Sequence, residues 1–142
     1  MLIRNKLIMT EKEKYLLIKD LCARLNTNLV CSIYRVDDQG VGYRDEILYG
    51  YYNNNTEYEF YFGEDCGISV DNVSKIKPYL FPLSSMTEEQ SKEYHELIGG
   101  MFGTSALINF EILEDFFHKN HFDYRGLIEK GLAIDATRLN IY

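Results

Sequence analysis

The stretch HKNHFDYRG, residues 118–126, brings together the side chains of this sequence that could do chemistry. A carboxylate such as Asp123 orients a neighbouring imidazole and raises its basicity, so His118 or His121 would act as a general base. The same two histidines could bind a metal from one helix face, but closed metal sites use three or four ligands. Because the spacing ties no nucleophile to either histidine, we assign no catalytic residue, no metal site and no cofactor.

A structural interpretation of this stretch requires fewer assumptions and is the leading one. Asn120 would end a helix, as asparagine commonly does. Phe122 and Leu127 would pack inward. Asp123 would pair with Arg125 or with a backbone amide and so tie the turn together.

A binding role for the same stretch is the alternative. If the chain is extended beyond the helix, His121, Asp123 and Arg125 point to one side, and Phe122 and Tyr124 to the other. Arginine contacts anions and carboxylates through several donors, and tyrosine is a common anchor in interfaces. We therefore predict Tyr124 and Arg125, with His121 and Asp123 beside them, as binding candidates.

Cys66 in the loop GEDCG is a weaker candidate for a nucleophile. Glu64 and Asp65 beside it disfavour the thiolate, which is the reactive form. The other cysteines, Cys22 and Cys31, are distant, and no CxxC spacing occurs. An odd number of scattered cysteines argues against a disulfide framework and fits a reducing compartment.

Aromatic residues are concentrated in the middle of the chain. The cluster comprises Tyr34, Tyr43, Tyr49, Tyr51, Tyr52, Tyr58, Phe60, Tyr61 and Phe62. Aromatics on a sheet stack single-stranded nucleic acid only where cations hold the backbone, and residues 31–66 carry two basic and eight acidic groups, a net charge of −6. We interpret the inward rings as core. The outward ones, with Tyr51, Tyr52 and Tyr58 as candidates, would contact another protein or a second copy of this chain.

The composition indicates one globular domain. The chain has 142 residues, of which 46% are hydrophobic and 26% charged, and its net charge is −7. An acidic chain repels phosphate, so we expect neither nucleic acid nor a membrane as partner. The N-terminus has no apolar core of signal-peptide length, and we expect a cytoplasmic protein.

The first half of the chain predicts a helix followed by strands. Thr10 with acidic residues after it marks the start of an amphipathic helix over residues 11–25. The runs VCSIYRV, DEILYGYY and EYEFYF are rich in β-forming residues and are separated by the turn signals DDQG and NNNT. They predict a three-stranded antiparallel meander from about residue 30 to residue 62.

The second half predicts mainly helices. Pro78 and Pro82 favour an edge or crossing strand over a central one. Residues 87–90 form a capping-box pattern that opens a second helix, and Gly99-Gly100 would end it. Asn109 would cap a third helix. Its predicted buried residues are Ile112, Leu113, Phe116 and Phe117. With a short strand at GLAID, the expected fold is a single α+β domain over residues 1–142.

Three blocks resemble a family of small proteins encoded by gut-bacterial prophages and other mobile elements. They are LIKDLCARL (residues 17–25), KPYLFPLSSMTEEQ (77–90) and HFDYRGLIEKGLAI (121–134). The relatives begin near Met9, which implies that residues 1–8 are an extension. The resemblance brings no established activity, so no residue inherits a catalytic role from it.

Three functional hypotheses follow. The first, raised by the mobile-element context, is a non-enzymatic accessory protein that binds a host protein, such as an inhibitor of bacterial defence. The second is a protein that binds or sequesters a nucleotide-like small molecule, with Arg125, Lys77 or Lys75 in one pocket. The third is a small hydrolase or transferase that uses His118, His121 or Cys66.

Overall fold

The computed structural model of the chain describes residues 8–38, 40–63, 66–100 and 106–142. Its helices and strands are α1 (Glu11–Ala23), β1 (Val30–Asp37), β2 (Gly40–Ile47), β3 (Gly50–Asn54), β4 (Glu57–Tyr61), β5 (Gly67–Ser69), β6 (Ile76–Pro82), α2 (Glu88–Gly100), α3 (Ala106–Lys119), β7 (Phe122–Asp123) and β8 (Ile134–Asp135). The α+β class is confirmed. Nearly all of the expected extension (1–7), Gln39 in the first turn, the two acidic residues before Cys66 and the connection before α3 lie outside the described residues.

Helix α1 begins where the sequence predicts. The Thr10 hydroxyl accepts a hydrogen bond from the Glu13 amide at 3.1 Å, and the Glu13 carboxylate accepts one from the Thr10 amide at 3.0 Å. This reciprocal capping satisfies two donors that a helix start leaves without partners. The helix ends at Ala23, two residues before the predicted end.

The predicted three-stranded meander is wrong, because the region forms two hairpins that belong to different sheets. Strands β1 and β2 pair in one sheet, and β3 and β4 pair in another together with β5. The two turns themselves occur where predicted, at Gly40 (φ +117°) and at Asn55 (φ +59°). Gly40 and Asn55 suit these positions because glycine and asparagine tolerate a positive φ best.

The chain passes from the first sheet to the second at Leu48. This side chain is 2% exposed, and its amide donates to the Leu29 carbonyl at 2.9 Å. The next amide, of Tyr49, donates to the Tyr61 carbonyl at 2.8 Å in the second sheet. The run DEILYGYY has strand-forming residues on both sides of this break, so alternation alone does not reveal it.

Strand β6 is central in the first sheet, which corrects the expectation of an edge or crossing strand. It pairs with β1 on one side and with β7 and β8 on the other, in the order β2-β1-β6-β7 with β8 also on β6. Pro78 is tolerated because pairing with β1 ends at Pro78 and pairing with β8 begins at Tyr79. The missing proline donor therefore falls where β6 changes partners.

Helices α2 and α3 pack on each other and on β7. The predicted capping box of α2 is confirmed, with Thr87 and Gln90 bonded to each other's amides. Two predictions for α3 are wrong. Asn109 is no cap, because the helix begins at Ala106, and Ile112 is 43% exposed. The hydrophobic cluster of α2, α3 and β7 comprises Leu113, Phe116, Phe117 and Phe122, with Phe81, Met86, Tyr94, Leu97 and Tyr124 packed against it.

The larger hydrophobic core lies between α1 and the two sheets. Leu17 and Leu21 on α1 are fully buried, and fully burying a leucine contributes about 1.5–3 kcal/mol. The sheet residues in this core include Cys31, Ile33, Phe60, Ile68, Ile76 and Leu80. Helix α1 therefore holds the two sheets together, and its remaining inward residues face the HKNHFDYRG stretch.

Candidate functional site

His121 changes the direction of the chain between α3 and β7. Its backbone φ is +58°, a left-handed conformation, and its carbonyl accepts from the Phe81 amide at 2.8 Å. The extended path that would align His121, Asp123 and Arg125 on one side is therefore interrupted at its first residue. The three side chains have separate partners, which corrects the expected common face.

Asp123 closes the turn that follows β7. Its two carboxylate oxygens accept hydrogen bonds from the amides of Leu127, at 2.8 Å, and Ile128, at 2.9 Å. The predicted bond to a backbone amide is confirmed, whereas the predicted pair with Arg125 does not form. Leu127 is fully buried and Phe122 is 1% exposed, so the inward packing expected for this corner is also confirmed.

Arg125 pairs instead with Asp20 on α1. One oxygen of the fully buried Asp20 carboxylate accepts from Arg125 Nε at 3.0 Å, and the other accepts from Arg24 Nε at 2.8 Å. Arg24 also donates through Nη2 to the Phe122 carbonyl at 2.6 Å. Asp20 and Arg24 thus connect the first helix to the HFDYR segment at Arg125 and at Phe122.

Tyr124 extends this network to α3. Its hydroxyl accepts from Arg125 Nη2 at 2.8 Å, since a guanidinium can only donate, and its own proton points to His118 Nε2 at 2.8 Å. Burial, and then the charge of Arg24, lower the pKa of His118 and keep the imidazole neutral. The Tyr124 ring stacks on Phe117 with centroids 4.9 Å apart.

The network carries one more positive charge than negative, because two guanidiniums share one carboxylate. The Tyr124 ring offsets part of this excess, with Arg24 Cζ 5.4 Å and Arg125 Cζ 4.8 Å from its centroid. Within the described part of the chain, Arg24 Nη1 and His121 Nδ1 are buried without hydrogen-bond partners. Arg125 and Tyr124 use their polar atoms internally, which fits the structural interpretation of HKNHFDYRG.

His121 contacts the last residue of the chain. Its ring stacks on Tyr142 with centroids 3.8 Å apart and an angle of 11°. The Tyr142 hydroxyl accepts from the Val30 amide at 3.0 Å and donates to the Tyr79 carbonyl at 2.9 Å, so it bridges β1 and β6. Burial, and then the charge of Arg24, lower the pKa of His121 to about 4.

Sequence reasoning missed Asp20 and Arg24, although a signal for them exists. With Leu17 and Leu21 they follow the i, i+3, i+4, i+7 spacing of a buried helix face. An Asp–Arg pair at i, i+4 on that face must be buried together with its partners, whereas the same pair on the outer face would be solvated.

The burial of Cys66 argues against an activated nucleophile. Its side chain is 6% exposed and belongs to the larger core. Burial, as the largest effect, raises the pKa of its thiol. His118 packs on Tyr124 and His121 on Tyr142, so the three residues named for a hydrolase or transferase do not come together in one cluster.

The second sheet divides the candidate tyrosines between its two faces. Tyr51 lies on the inner face and packs on Phe60 at 4.7 Å and on Tyr58 at 5.2 Å. Tyr52 lies on the outer face, where it is 59% exposed. Of the three tyrosines predicted as contacts, Tyr52 alone combines exposure with a place on the outer face, while the 51% exposed Tyr58 stacks on the inner side.

The outer face forms an open cleft of about 500 Å³, which we call the tyrosine cleft. It is lined by Tyr49, Tyr52, Tyr61 and Gly63. The rings of Tyr52 and Tyr61 have centroids 5.4 Å apart and meet at 57°, so they form two walls of a corner. A Cβ at Gly50 would overlap the Tyr52 ring, and glycine at this position therefore lets the ring lie across the strand.

Carboxylates line the outer face beside the tyrosine cleft. The Tyr61 hydroxyl donates to Glu59 at 2.7 Å, and the Ser69 hydroxyl donates to Glu57 at 2.9 Å. Because the hydrogen bond to the Glu59 carboxylate favours the neutral phenol, it raises the pKa of Tyr61. The outer face thus combines exposed aromatic rings with negative charge.

The three cations proposed for a nucleotide-like ligand do not share a pocket, which corrects that expectation. Lys75 lines a cleft of about 330 Å³ that also contains Glu57 and Glu59. Lys77 lines a separate cleft of about 150 Å³, and Arg125 is bonded to Asp20. No cluster of these positive charges is therefore available to a phosphate group.

The described residues contain neither a metal site nor a membrane-spanning helix. No group of three or more His, Cys, Asp or Glu side chains in ranges 8–38, 40–63, 66–100 and 106–142 could hold a metal ion. No helix within the same ranges is long and apolar enough to cross a bilayer.

Compared with known proteins, the chain matches no family model, no curated protein and no solved structure. Its function must therefore be inferred from the chemistry of its own residues. Two places are distinctive: the buried network around Asp20, whose groups bond mainly to one another, and the tyrosine cleft, whose rings face solvent.

Proposed function

We propose that the protein is a non-enzymatic interaction protein that binds another protein through the tyrosine cleft. The observation that carries this proposal is that three tyrosines line one open cleft, with Tyr49 61% and Tyr52 59% exposed. Tyrosine supplies a large apolar surface and a hydroxyl at a low cost in side-chain entropy, which is why it is enriched at interfaces.

The two other hypotheses, a small-molecule binder and a hydrolase or transferase, receive less support from the residues. Of the residues named for a hydrolase, Cys66 lies in the larger core, whereas the two histidines pack on Tyr124 and Tyr142. The lysines named for a small-molecule site lie in separate clefts. The tyrosine cleft, in contrast, is open and apolar, and the described chain does not fill it. The cleft is therefore better suited to binding a protein surface than to catalysis.

The charge of the chain supports a basic partner. Residues 31–66 carry a net charge of −6 and include every tyrosine of the cleft. Complementary charge raises association rates and disfavours acidic partners. The resemblance to proteins of prophages and mobile elements supports a bacterial host protein in the cytoplasm as the target, and a component of bacterial defence as the kind of target.

Affinity capture from a gut-bacterial lysate tests this proposal with three forms of the tagged protein. They are the wild type, Tyr52→Ala in the cleft, and Tyr43→Ala as the matched control, since Tyr43 is 72% exposed but lies on the first sheet. We expect one stoichiometric partner that the wild type and the control retain equally. Tyr52→Ala should weaken the complex about 30-fold, the effect of losing an interface anchor worth 2 kcal/mol.

Two outcomes would contradict the proposal. Recovery of the partner by Tyr52→Ala at the wild-type level would place the interface elsewhere, and absence of any partner would remove the function. Sedimentation of the purified protein supplies a further arm. Self-association that Tyr52→Ala abolishes would assign the cleft to contacts between copies of this chain instead of a host protein.

A further inference from the structure

We infer that the tyrosine cleft is a receptor for an arginine side chain of the partner protein. This inference rests on the proposed function and adds the chemistry that the cleft recognises. The described residues combine three features on one surface: two ring faces set at an angle, a carboxylate bonded to one of the rings, and open access from solvent.

The two ring faces suit a planar cation. The rings of Tyr52 and Tyr61 contact each other at 57° with centroids 5.4 Å apart, so a planar group can stack on the solvent-facing side of one ring with its edge toward the other. The π-face of an aromatic ring is negative and attracts a cation placed within about 6 Å of the centroid. A guanidinium is planar and stacks on such faces, whereas an ammonium group does not.

The Glu59 carboxylate lies on the same face of the sheet as the two rings. Glu59 lies opposite Tyr52 on the neighbouring strand and accepts from the Tyr61 hydroxyl. The Glu59 carboxylate lines the neighbouring cleft with Lys75, so it adds negative potential beside the rings without being part of the tyrosine cleft. Glu57, two residues earlier on the same face, adds to this negative potential.

Two glycines leave room for this arrangement. Gly50 and Gly67 are the residues paired with Tyr61 on its two sides in the sheet. A Cβ at Gly50 would overlap the Tyr52 ring, and a Cβ at Gly67 would lie 2.8 Å from Glu59 Oε2 and 3.2 Å from the Tyr61 ring. Glycine at both positions therefore leaves room on this face for the two tyrosine rings and the Glu59 carboxylate.

The openness of the cleft favours a protein side chain over a free quaternary ammonium compound. Quaternary ammonium ligands are held in cages of rings that surround them and exclude water. The tyrosine cleft has rings along one face and is open on the other, so an arginine carried by a protein can enter while its backbone remains outside. The net charge of −6 over residues 31–66 attracts a basic segment as a whole.

The test is a titration of the full chain, with its tyrosine rings isotopically labelled for NMR, by the peptide Gly-Ser-Gly-Arg-Gly-Ser-Gly. A matched peptide carries citrulline, which keeps the shape of arginine and lacks its charge. We expect saturable shifts of Tyr49, Tyr52 and Tyr61 with the arginine peptide, at least fivefold weaker binding with citrulline, and unchanged Tyr43 signals. Glu59→Gln, which keeps an acceptor for the Tyr61 hydroxyl, should weaken arginine binding by a similar factor.

A second variant examines the geometry without removing an aromatic ring. Gly50→Ala displaces the Tyr52 ring, whose exposed end can move, and should weaken binding of the arginine peptide while the protein stays folded. Equal binding of the arginine and citrulline peptides, or no shift at the three tyrosines, would overturn the inference. In those cases a lysate partner that depends on Tyr52 would still support the proposed function, so the two failures are distinguishable.

Discussion

Asp20 and Arg125 are 105 residues apart in the chain and are joined by a 3.0 Å hydrogen bond inside the fold. Asp20 is fully buried and also forms an ion pair with Arg24, so one negative carboxylate balances part of the positive charge of two guanidiniums. Breaking a buried ion pair from one side leaves charge that water cannot reach, which makes this contact a point of high energetic sensitivity.

Replacing Asp20 by Asn tests this sensitivity. The amide keeps the shape of the side chain but removes the negative charge, so we expect a loss of about 3–5 kcal/mol in the free energy of unfolding, measured by urea denaturation. The matched control is Glu93→Gln, which breaks the exposed pair with Lys119 at 3.1 Å and should cost at most about 1 kcal/mol. Equal losses for the two variants would show that the Asp20 network contributes no more than a surface pair.

The pH dependence of stability should reveal His121. The pKa of His121 falls from 6.5 to about 4 on folding, so between these values the unfolded chain binds the proton more readily. Stability from this group is therefore complete above pH 6.5 and is lost as the pH falls toward 4, with a slope of up to about 1.4 kcal/mol per pH unit.

His121→Asn is the matching variant, because asparagine tolerates the left-handed backbone at this position. It should lower stability at pH 7 through the lost stacking on Tyr142, and it should flatten the decline between pH 6.5 and 5. Urea denaturation at several pH values measures both effects. A variant with the same slope as the wild type would exclude His121 as the titrating group.

Asp123→Ala should loosen the turn after β7. Removing the carboxylate leaves the buried amide of Leu127 and the half-buried amide of Ile128 without their acceptor, and a fully buried unsatisfied donor costs about 1–3 kcal/mol. Hydrogen exchange by NMR should show faster exchange at these two amides than in the wild type. Unchanged protection would mean that other groups hold the turn.

Tyr142→Phe should weaken the link between β1 and β6. The variant keeps the ring that stacks on His121 but removes the hydroxyl bonded to the Val30 amide and the Tyr79 carbonyl. We expect a loss of about 1 kcal/mol in the free energy of unfolding, with faster exchange of the Val30 amide. If thermal stability and Val30 exchange both match the wild type, the hydroxyl bridge is not formed in solution.

Local patterns predict the parts of this fold that depend on neighbouring residues. Thr10 with Glu13 and Thr87 with Gln90 cap the two helices as their spacing indicates, since capping is completed within one helical turn. The turns at Gly40 and Asn55 were also predicted, because a positive φ limits the choice of residue.

Long-range contacts account for what the patterns missed. Leu48 divides a continuous β-rich run because its side chain enters the core and its amide pairs with Leu29. Pro78 lies in a central strand because the partners of β6 change at that residue. Neither choice is visible in a window of a few residues, since each depends on strands that pair from elsewhere in the chain.

The properties of the candidate sites also divide into those that local sequence determines and those that depend on long-range contacts. The amino-acid sequence by itself determined the α+β class, the acidic charge and the concentration of tyrosines, which follow from composition and local spacing. Only the tertiary structure decided that Tyr124 and Arg125 bond internally around Asp20, and that Tyr52 and Tyr61 meet on an open face. The reason is that a side chain's exposure depends on which distant residues pack over it, and packing is settled by the whole fold.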